Sequence, residues 1–245
     1  SSWAAPMDDV VVVGGGPAGA LTALILSRAG ANVRVFERAR FPRHKLCGDT
    51  LNPGALAVLS RHVDITPLVA QSDDIHGMLI TGPGGVAVRA LYGAGIAGRA
   101  VTRQVFDEWL LRQASEAGAH VEEGVAVRGA RVAGGRVSGV TAMRGDGGEA
   151  AHASRLVIAA DGRRSTLAFS RGLARQPARP RRWAIGGYFT DVTGCSTVGE
   201  MHVRQGHYIG VAPVPGGLTN VCVVMPHASG DQPCGPPADV IRARL

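Results

Sequence analysis

Three glycines, Gly14, Gly16 and Gly19, stand at G-x-G-x-x-G spacing directly behind four consecutive valines, Val10 to Val13. The valines suit a central parallel strand buried on both faces. From Pro17 the sequence places Leu21, Leu24, Ile25 and Arg28 at helical spacing, with Gly30 as the stop. Val33 to Phe36 alternates as the next strand. These segments predict one β-α-β unit, and right-handed crossover makes its strands parallel neighbours. In such a unit Gly14 permits the tight turn, Gly16 lets a pyrophosphate approach the backbone and Gly19 lets the helix pack on the strand. The first helical turn, with Pro17 and Ala18, faces its amides and dipole toward the phosphates. Glu37, at the end of the second strand, is placed to bind adenosine ribose hydroxyls. This much suits NAD or FAD equally.

Further along, Asn52-Pro53 reads as the capped start of a helix running to about Arg61, and strands are expected near Gly77–Ile80 and Val86–Leu91. Asp107 to Ala117 reads as an amphipathic helix with Phe106, Leu110, Leu111 and Ala114 inward, ended by Gly118. A meander of short strands is expected from His120 to Met143, turning at Gly134-Gly135. Leu156 to Ala160 again has the composition of a buried central strand. After Pro177, four runs (Trp183–Asp191, Val198–Val203, Tyr208–Ala212 and Thr219–Met225) predict consecutive antiparallel strands of a second sheet. Pro237 onward opens a helix inside which the sequence stops, so the chain is expected to lack a C-terminal part.

Composition narrows the partners. The net charge of +7 suggests nucleic acid, but all but one of the 26 basic residues are arginine, spread along the chain, and aromatics are only 4%. No nucleic-acid partner is expected. Cys47, Cys195, Cys222 and Cys234 contain no CxxC, and no His/Asp/Glu cluster has metal spacing, so no metal is expected. His202 and His207 fall on second-sheet strands, where a hydrogen-bonded structural role is the commoner one. No apolar run approaches the ~20 residues of a membrane helix, and no signal-peptide pattern opens the sequence. A cytoplasmic protein is the expectation.

Three segments carry a family resemblance. Glu37-Arg38 followed by Phe41-Pro42-Arg43-His44-Lys45-Leu46-Cys47-Gly48-Asp49 resembles the FAD-dependent geranylgeranyl reductases and, more loosely, the flavin monooxygenases and halogenases that share their fold. Arg103-x-x-Phe106-Asp107-x-x-Leu110 and Ala160-Asp161-Gly162-Arg163-Arg164-Ser165 match the same superfamily in order and spacing. The resemblance implies an α/β fold of p-hydroxybenzoate hydroxylase type: a Rossmann-type FAD-binding domain with a parallel central sheet, plus a second, mainly antiparallel substrate domain. The expected division is 1–75 and 101–176 for FAD, with 76–100 and 177–245 for substrate.

Carried over to this sequence, the resemblance implies cofactor contacts from Gly14, Gly16, Pro17, Ala18, Gly19, Glu37, Arg38, Cys47, Gly48, Arg103, Asp161 and Gly162. Arg103 would help hold the FAD phosphates or ribityl chain. Asp161-Gly162 would lie near the pyrophosphate and any NAD(P)H that binds transiently as reductant. Cys47 would lie near the isoalloxazine. As chemistry, a thiol beside Arg43 and Lys45, the only lysine of the chain, acts as proton donor or polar contact, making Cys47 and Lys45 the candidate catalytic residues. As structure, Cys47 reads equally as a small buried residue.

The expected activity is an FAD-dependent oxidoreductase acting on an apolar small molecule, by hydride transfer or by oxygenation, with NAD(P)H or an electron-donor protein as reductant. The alternatives are a flavin monooxygenase of natural-product biosynthesis, a non-catalytic FAD-binding fragment, and an NAD-binding dehydrogenase using Gly14 to Glu37 alone. Halogenation is not expected, since no lysine follows Lys45. Tyr208-Ile-Gly-Val-Ala-Pro213 keeps the Tyr and Pro of the reductases' Tyr-x-Trp-x-Phe-Pro segment and lacks its Trp and Phe, which argues against a prenyl substrate. The superfamily's late Gly-Asp motif has no match.

Overall fold

A computed structural model describes residues 7–145, 147–176, 182–226 and 235–244. Pro177 and Cys234 lie outside the described residues. The chain divides into two compact units: residues up to Arg43 with Phe106–Arg175, and His44–Val105 with the residues from Gln176 on.

The first unit is built on a six-stranded sheet in the order His120–Glu123, Val33–Glu37, Asp8–Val13, Glu149–Ala159, Arg136–Arg144 and Val125–Ala133. Its first four strands run parallel, with Val10 opposite both Val33 and Leu156, as the β-α-β pattern requires. The Pro17–Arg28 helix lies over the Asp8–Val13 and Val33–Glu37 strands and buries Gly19, Ala20, Ala23 and Leu24. This buried stripe differs from the one read off the large apolar residues. Small side chains bring helix and sheet close, while Ile25 is 36% exposed.

Two expectations need correction here. The His120–Glu123 segment does not start the meander; it pairs parallel with Val33–Glu37 at the sheet edge. Only Val125–Ala133, Arg136–Arg144 and Glu149–Ala159 form consecutive antiparallel neighbours, turning at Gly134-Gly135. The Leu156–Ala159 stretch is central in order, yet Leu156 is 53% exposed, because the glycine-motif helix covers the neighbouring Asp8–Val13 strand and the Val33–Glu37 strand beyond it instead. Val11, Val13, Phe36, Val125, Val140, Ala142 and Leu167 make one buried core cluster of this unit. Arg34 crosses the parallel strands to pair with buried Asp8 at 2.7 Å and with Glu122.

The second unit carries a six-stranded sheet ordered Arg182–Phe189, Leu218–Pro226, His207–Val214, Gly199–Arg204, Gly77–Thr81 and Ala87–Leu91. Every neighbour is antiparallel except Gly199–Arg204 against Gly77–Thr81, which is parallel. Alternation gives the sheet two faces. One buries Ile209, Val221, Val223 and Met225 against Ile241 of the Pro237–Arg242 helix. The other carries Gly186, Gly199, Gly210 and Ala212 among larger residues such as Met78, Met201 and Tyr188. A three-stranded sheet of Thr50–Leu51, Gly98–Ala100 and Asp73–Ile75 completes the unit. The Pro53–Ser60 helix starts where the sequence places it, with Asn52 Oδ1 accepting the Ala55 N–H at 2.8 Å.

Among the described residues, no helix is long and apolar enough to cross a membrane.

Candidate functional site

In the first unit the chain turns from strand to helix over Gly14 to Gly16, and two of the motif glycines cannot be anything else. Gly14 sits at φ +103°, and a Cβ there would lie 2.4 Å from the Ala160 carbonyl oxygen. A Cβ at Gly19 would lie 1.9 Å from the Gly14 carbonyl oxygen. These glycines let the turn, the helix and the following strand end close on one another. Gly16 is different: its φ is −71°, and a Cβ would meet only the Arg43 Nη2, at 3.6 Å. The space in front of Gly16 is therefore open at the helix N-terminus, where a phosphate finds unpaired amides.

Glu37 ties this turn to the second strand. Its Oε2 accepts the Gly15 N–H at 2.7 Å and its Oε1 accepts the Ala39 N–H at 2.8 Å. The carboxylate is 7% exposed, and each oxygen keeps a second lone pair for a ribose hydroxyl. Beside it opens a cavity of about 130 Å³, lined by Gly14, Glu37, Arg38, Asp161, Arg164 and the Val125–Arg128 segment. Asp161 Oδ2 accepts the Thr166 N–H at 2.7 Å, while its Oδ1 is buried with no hydrogen-bond partner. Gly162 follows at φ +81°. Of the residues expected to bind cofactor, Gly14, Gly16, Pro17, Ala18, Gly19, Glu37, Arg38, Asp161 and Gly162 thus belong to this unit.

Lys45, Cys47, Gly48 and Arg103 belong to the second unit. Lys45 is exposed and Cys47 half-buried. What organises this segment is Asp49, a residue at 1% exposure held at φ +51°. Its Oδ2 accepts the Tyr188 hydroxyl at 2.5 Å and the Asn220 amide at 2.6 Å, and its Oδ1 accepts the Arg103 backbone N–H at 3.2 Å. Asn220 also donates to the Cys47 carbonyl at 2.8 Å, and the Cys222 thiol to the Asn220 Oδ1 at 3.1 Å. Burial first, then the Asp49 carboxylate, pushes the Tyr188 hydroxyl up and the Cys222 thiol up to about 11. Both remain protonated donors at neutral pH.

Along the glycine-bearing face of the sheet, this segment borders a hollow of about 170 Å³, with Gly48, Met78, Met201, Gly210, Ala212 and Cys222 in its lining. A Cβ at Gly210 would find only the Cys222 carbonyl oxygen, at 3.9 Å. His202 bonds Thr81 and Glu200, at 2.9 Å each; His207 Nδ1 lies 3.3 Å from the Gln205 carbonyl oxygen, and its Nε2 is buried without a hydrogen-bond partner. Among the described residues, no group of three or more His, Cys, Asp or Glu side chains is placed to hold a metal ion.

Sequence reasoning missed Asp49 as a hub, because Tyr188 and Asn220 come from distant strands. It also missed the pairing of Arg43 Nη2 with Asp107 Oδ2 at 2.9 Å. One signal was available: Asp107 shares its helix face with Leu110, Leu111 and Ala114, an unusual place for a carboxylate.

The chain belongs to the FAD-binding domain family, which matches residues 7–233. It is 36% identical over 169 residues to digeranylgeranylglycerophospholipid reductase 1 of Methanopyrus kandleri, covering 69% of this chain and 43% of that protein. It is 32% identical over 171 residues to a probable electron transfer flavoprotein-quinone oxidoreductase of Escherichia coli, covering 69% of this chain and 39% of that one. The chain spans about two-fifths of the length of these curated relatives. In fold it resembles the myxobacterial chondrochloren halogenase, with a TM-score of 0.82 at 23% identity, over 97% of this chain and 57% of that chain. FAD is the cofactor, and the first unit fits it: an open approach at Gly16, a carboxylate with free lone pairs at Glu37, and an orphaned acceptor at Asp161.

Proposed function

We propose that this chain forms part of an FAD-dependent oxidoreductase that reduces an apolar small molecule by hydride transfer. Bound FAD supplies the redox chemistry, and the protein binds, orients and shields. The observation that carries the substrate class is the hollow of the second unit, whose lining is mostly thioether, methyl and bare backbone, with Met78, Met201, Ala212 and Gly210. Such a surface offers a ligand dispersion contacts and few hydrogen bonds. The two curated relatives, a reductase of a prenylated lipid and a quinone oxidoreductase by name, support reduction of an apolar substrate.

The Asp49, Tyr188 and Asn220 network fixes the Cys47 carbonyl, and Gly48 borders the hollow. In this reading Cys47 delivers the proton that accompanies the hydride, and exposed Lys45 keeps the loop basic. NAD(P)H or an electron-donor protein reduces the flavin.

The test uses the FAD-loaded, chemically reduced protein under anaerobic conditions with a quinone that carries no prenyl chain. Gain of two hydrogens by the substrate, slowed about 10-fold or more in Cys47→Ala at unchanged FAD affinity, is expected for general acid catalysis. Product that forms only with oxygen and carries an added oxygen atom would replace reduction with oxygenation.

A further inference from the structure

We infer that Arg43, pinned by Asp107, is the side chain that receives the FAD pyrophosphate in front of Gly16. Asp107 is fully buried on the inner face of the Arg103–Glu116 helix. An uncompensated carboxylate there costs several kcal/mol, so a charge partner is required. Arg43 provides it, with Nη2 2.9 Å from Asp107 Oδ2 and a side chain only 17% exposed. The guanidinium carbon also lies 4.8 Å from the centroid of the Phe41 ring, so ion pair and ring together fix the plane of the fork.

The position of Nη2 shows what the fork faces. Arg43 Nη2 is 3.6 Å from the position a Cβ would take at Gly16, the one motif glycine whose missing side chain leaves open space. Arg43 Nη1 is buried and has no hydrogen-bond partner. Nη1 is thus on the enclosed side of the guanidinium, and Nη2 is the atom beside the open space at Gly16. A guanidinium beside a helix N-terminus is suited to a diphosphate, because its parallel N–H groups match phosphate oxygens. The pair with Asp107 largely cancels the arginine's charge at long range. Arg43 therefore acts by aim rather than by steering, and Asp107 is a positioning residue that works through it.

The inference rests on the FAD assignment and is tested on the full chain by fluorescence titration with FAD, and by competition with ADP and with adenosine. Arg43→Ala should weaken FAD and ADP about 10- to 100-fold, the loss expected for charge-assisted hydrogen bonds, and leave adenosine within about twofold. Arg43→Lys, which keeps the charge and the Asp107 partner but not the fork, should recover part of the loss. Asp107→Asn should weaken ADP and again spare adenosine. Melting of each apo variant checks the fold, and if Arg43→Ala does not fold, Arg43→Lys carries the comparison. ADP binding unchanged in the Arg43 variants, or adenosine lost in equal measure, would overturn the inference while leaving the cofactor assignment standing. Failure of the unaltered chain to bind FAD would overturn both.

Discussion

Replacing Gly16 with alanine separates what the motif does for the fold from what it does for the ligand. Gly16 caps the Pro17–Arg28 helix at φ −71° and ψ −179°, a conformation alanine adopts freely. The new Cβ would meet only Arg43 Nη2, at an ordinary contact distance of 3.6 Å. Alanine is the poorer N-cap, by up to ~1 kcal/mol, and its stiffer unfolded chain returns about 0.4–1 kcal/mol, so apo stability should hardly change. The ligand has no such tolerance, since the methyl group fills the space through which phosphate approaches the amides. Loss of one charge-assisted hydrogen bond, at about 1.5–3 kcal/mol, raises the FAD dissociation constant by roughly 10- to 100-fold, and loss of two by roughly 100- to 10,000-fold. Thermal melting of the apo protein by circular dichroism and fluorescence titration with FAD measure the two effects. Gly19→Ala should do the reverse of Gly16→Ala in the melt, unfolding the protein, because its Cβ would strike the Gly14 carbonyl at 1.9 Å. A Gly16→Ala protein that melts normally and binds FAD as tightly as the parent refutes the reasoning.

Three further outcomes follow from the second unit and one from the first. Asp49→Ala leaves the Tyr188 hydroxyl and the Asn220 amide short of an acceptor, and urea denaturation should show a loss of about 2–4 kcal/mol. The Cys222 thiol is raised in the folded state to about 11, so the native protein holds a proton that the unfolded chain releases from about pH 9. Its contribution is complete below pH 9 and is lost as pH rises through about 11; melting temperatures over that window should fall less in Cys222→Ser than in the parent. Gly210→Leu should fill the hollow, and binding of the unprenylated quinone should drop at least 10-fold, a steric estimate, with FAD affinity retained. Burial lowers the His152 pKa, so protonation in acid costs stability. That cost appears as pH falls below about 6.5, and His152→Gln should flatten the slope.

How far these features can be read from sequence depends on how local their causes are. The β-α-β unit is visible because its strand, turn and helix follow one another, and each glycine answers a short-range steric demand. The inner stripe of its helix is harder, since Leu21 and Ile25 advertise themselves while Ala20 and Ala23 make the close contact. The strand His120–Glu123 has four residues and two acidic ones, too few to display a period, and its pairing with Val33–Glu37 is distant in sequence. The parallel joint between Gly199–Arg204 and Gly77–Thr81 is hidden for the same reason. In the site, Glu37 stands out by spacing alone. Asp49 and Arg43 draw their roles from Tyr188, Asn220 and Asp107, partners that only the folded chain brings near.

The central claim is that the Gly14–Glu37 turn of this chain holds FAD. It is tested most directly by titrating the purified chain with FAD and, separately, with NAD, following quenching of flavin fluorescence and the heat of binding. Saturation at one FAD per chain with no comparable NAD signal is the predicted result. A chain that stays indifferent to FAD while its fold is intact would contradict it.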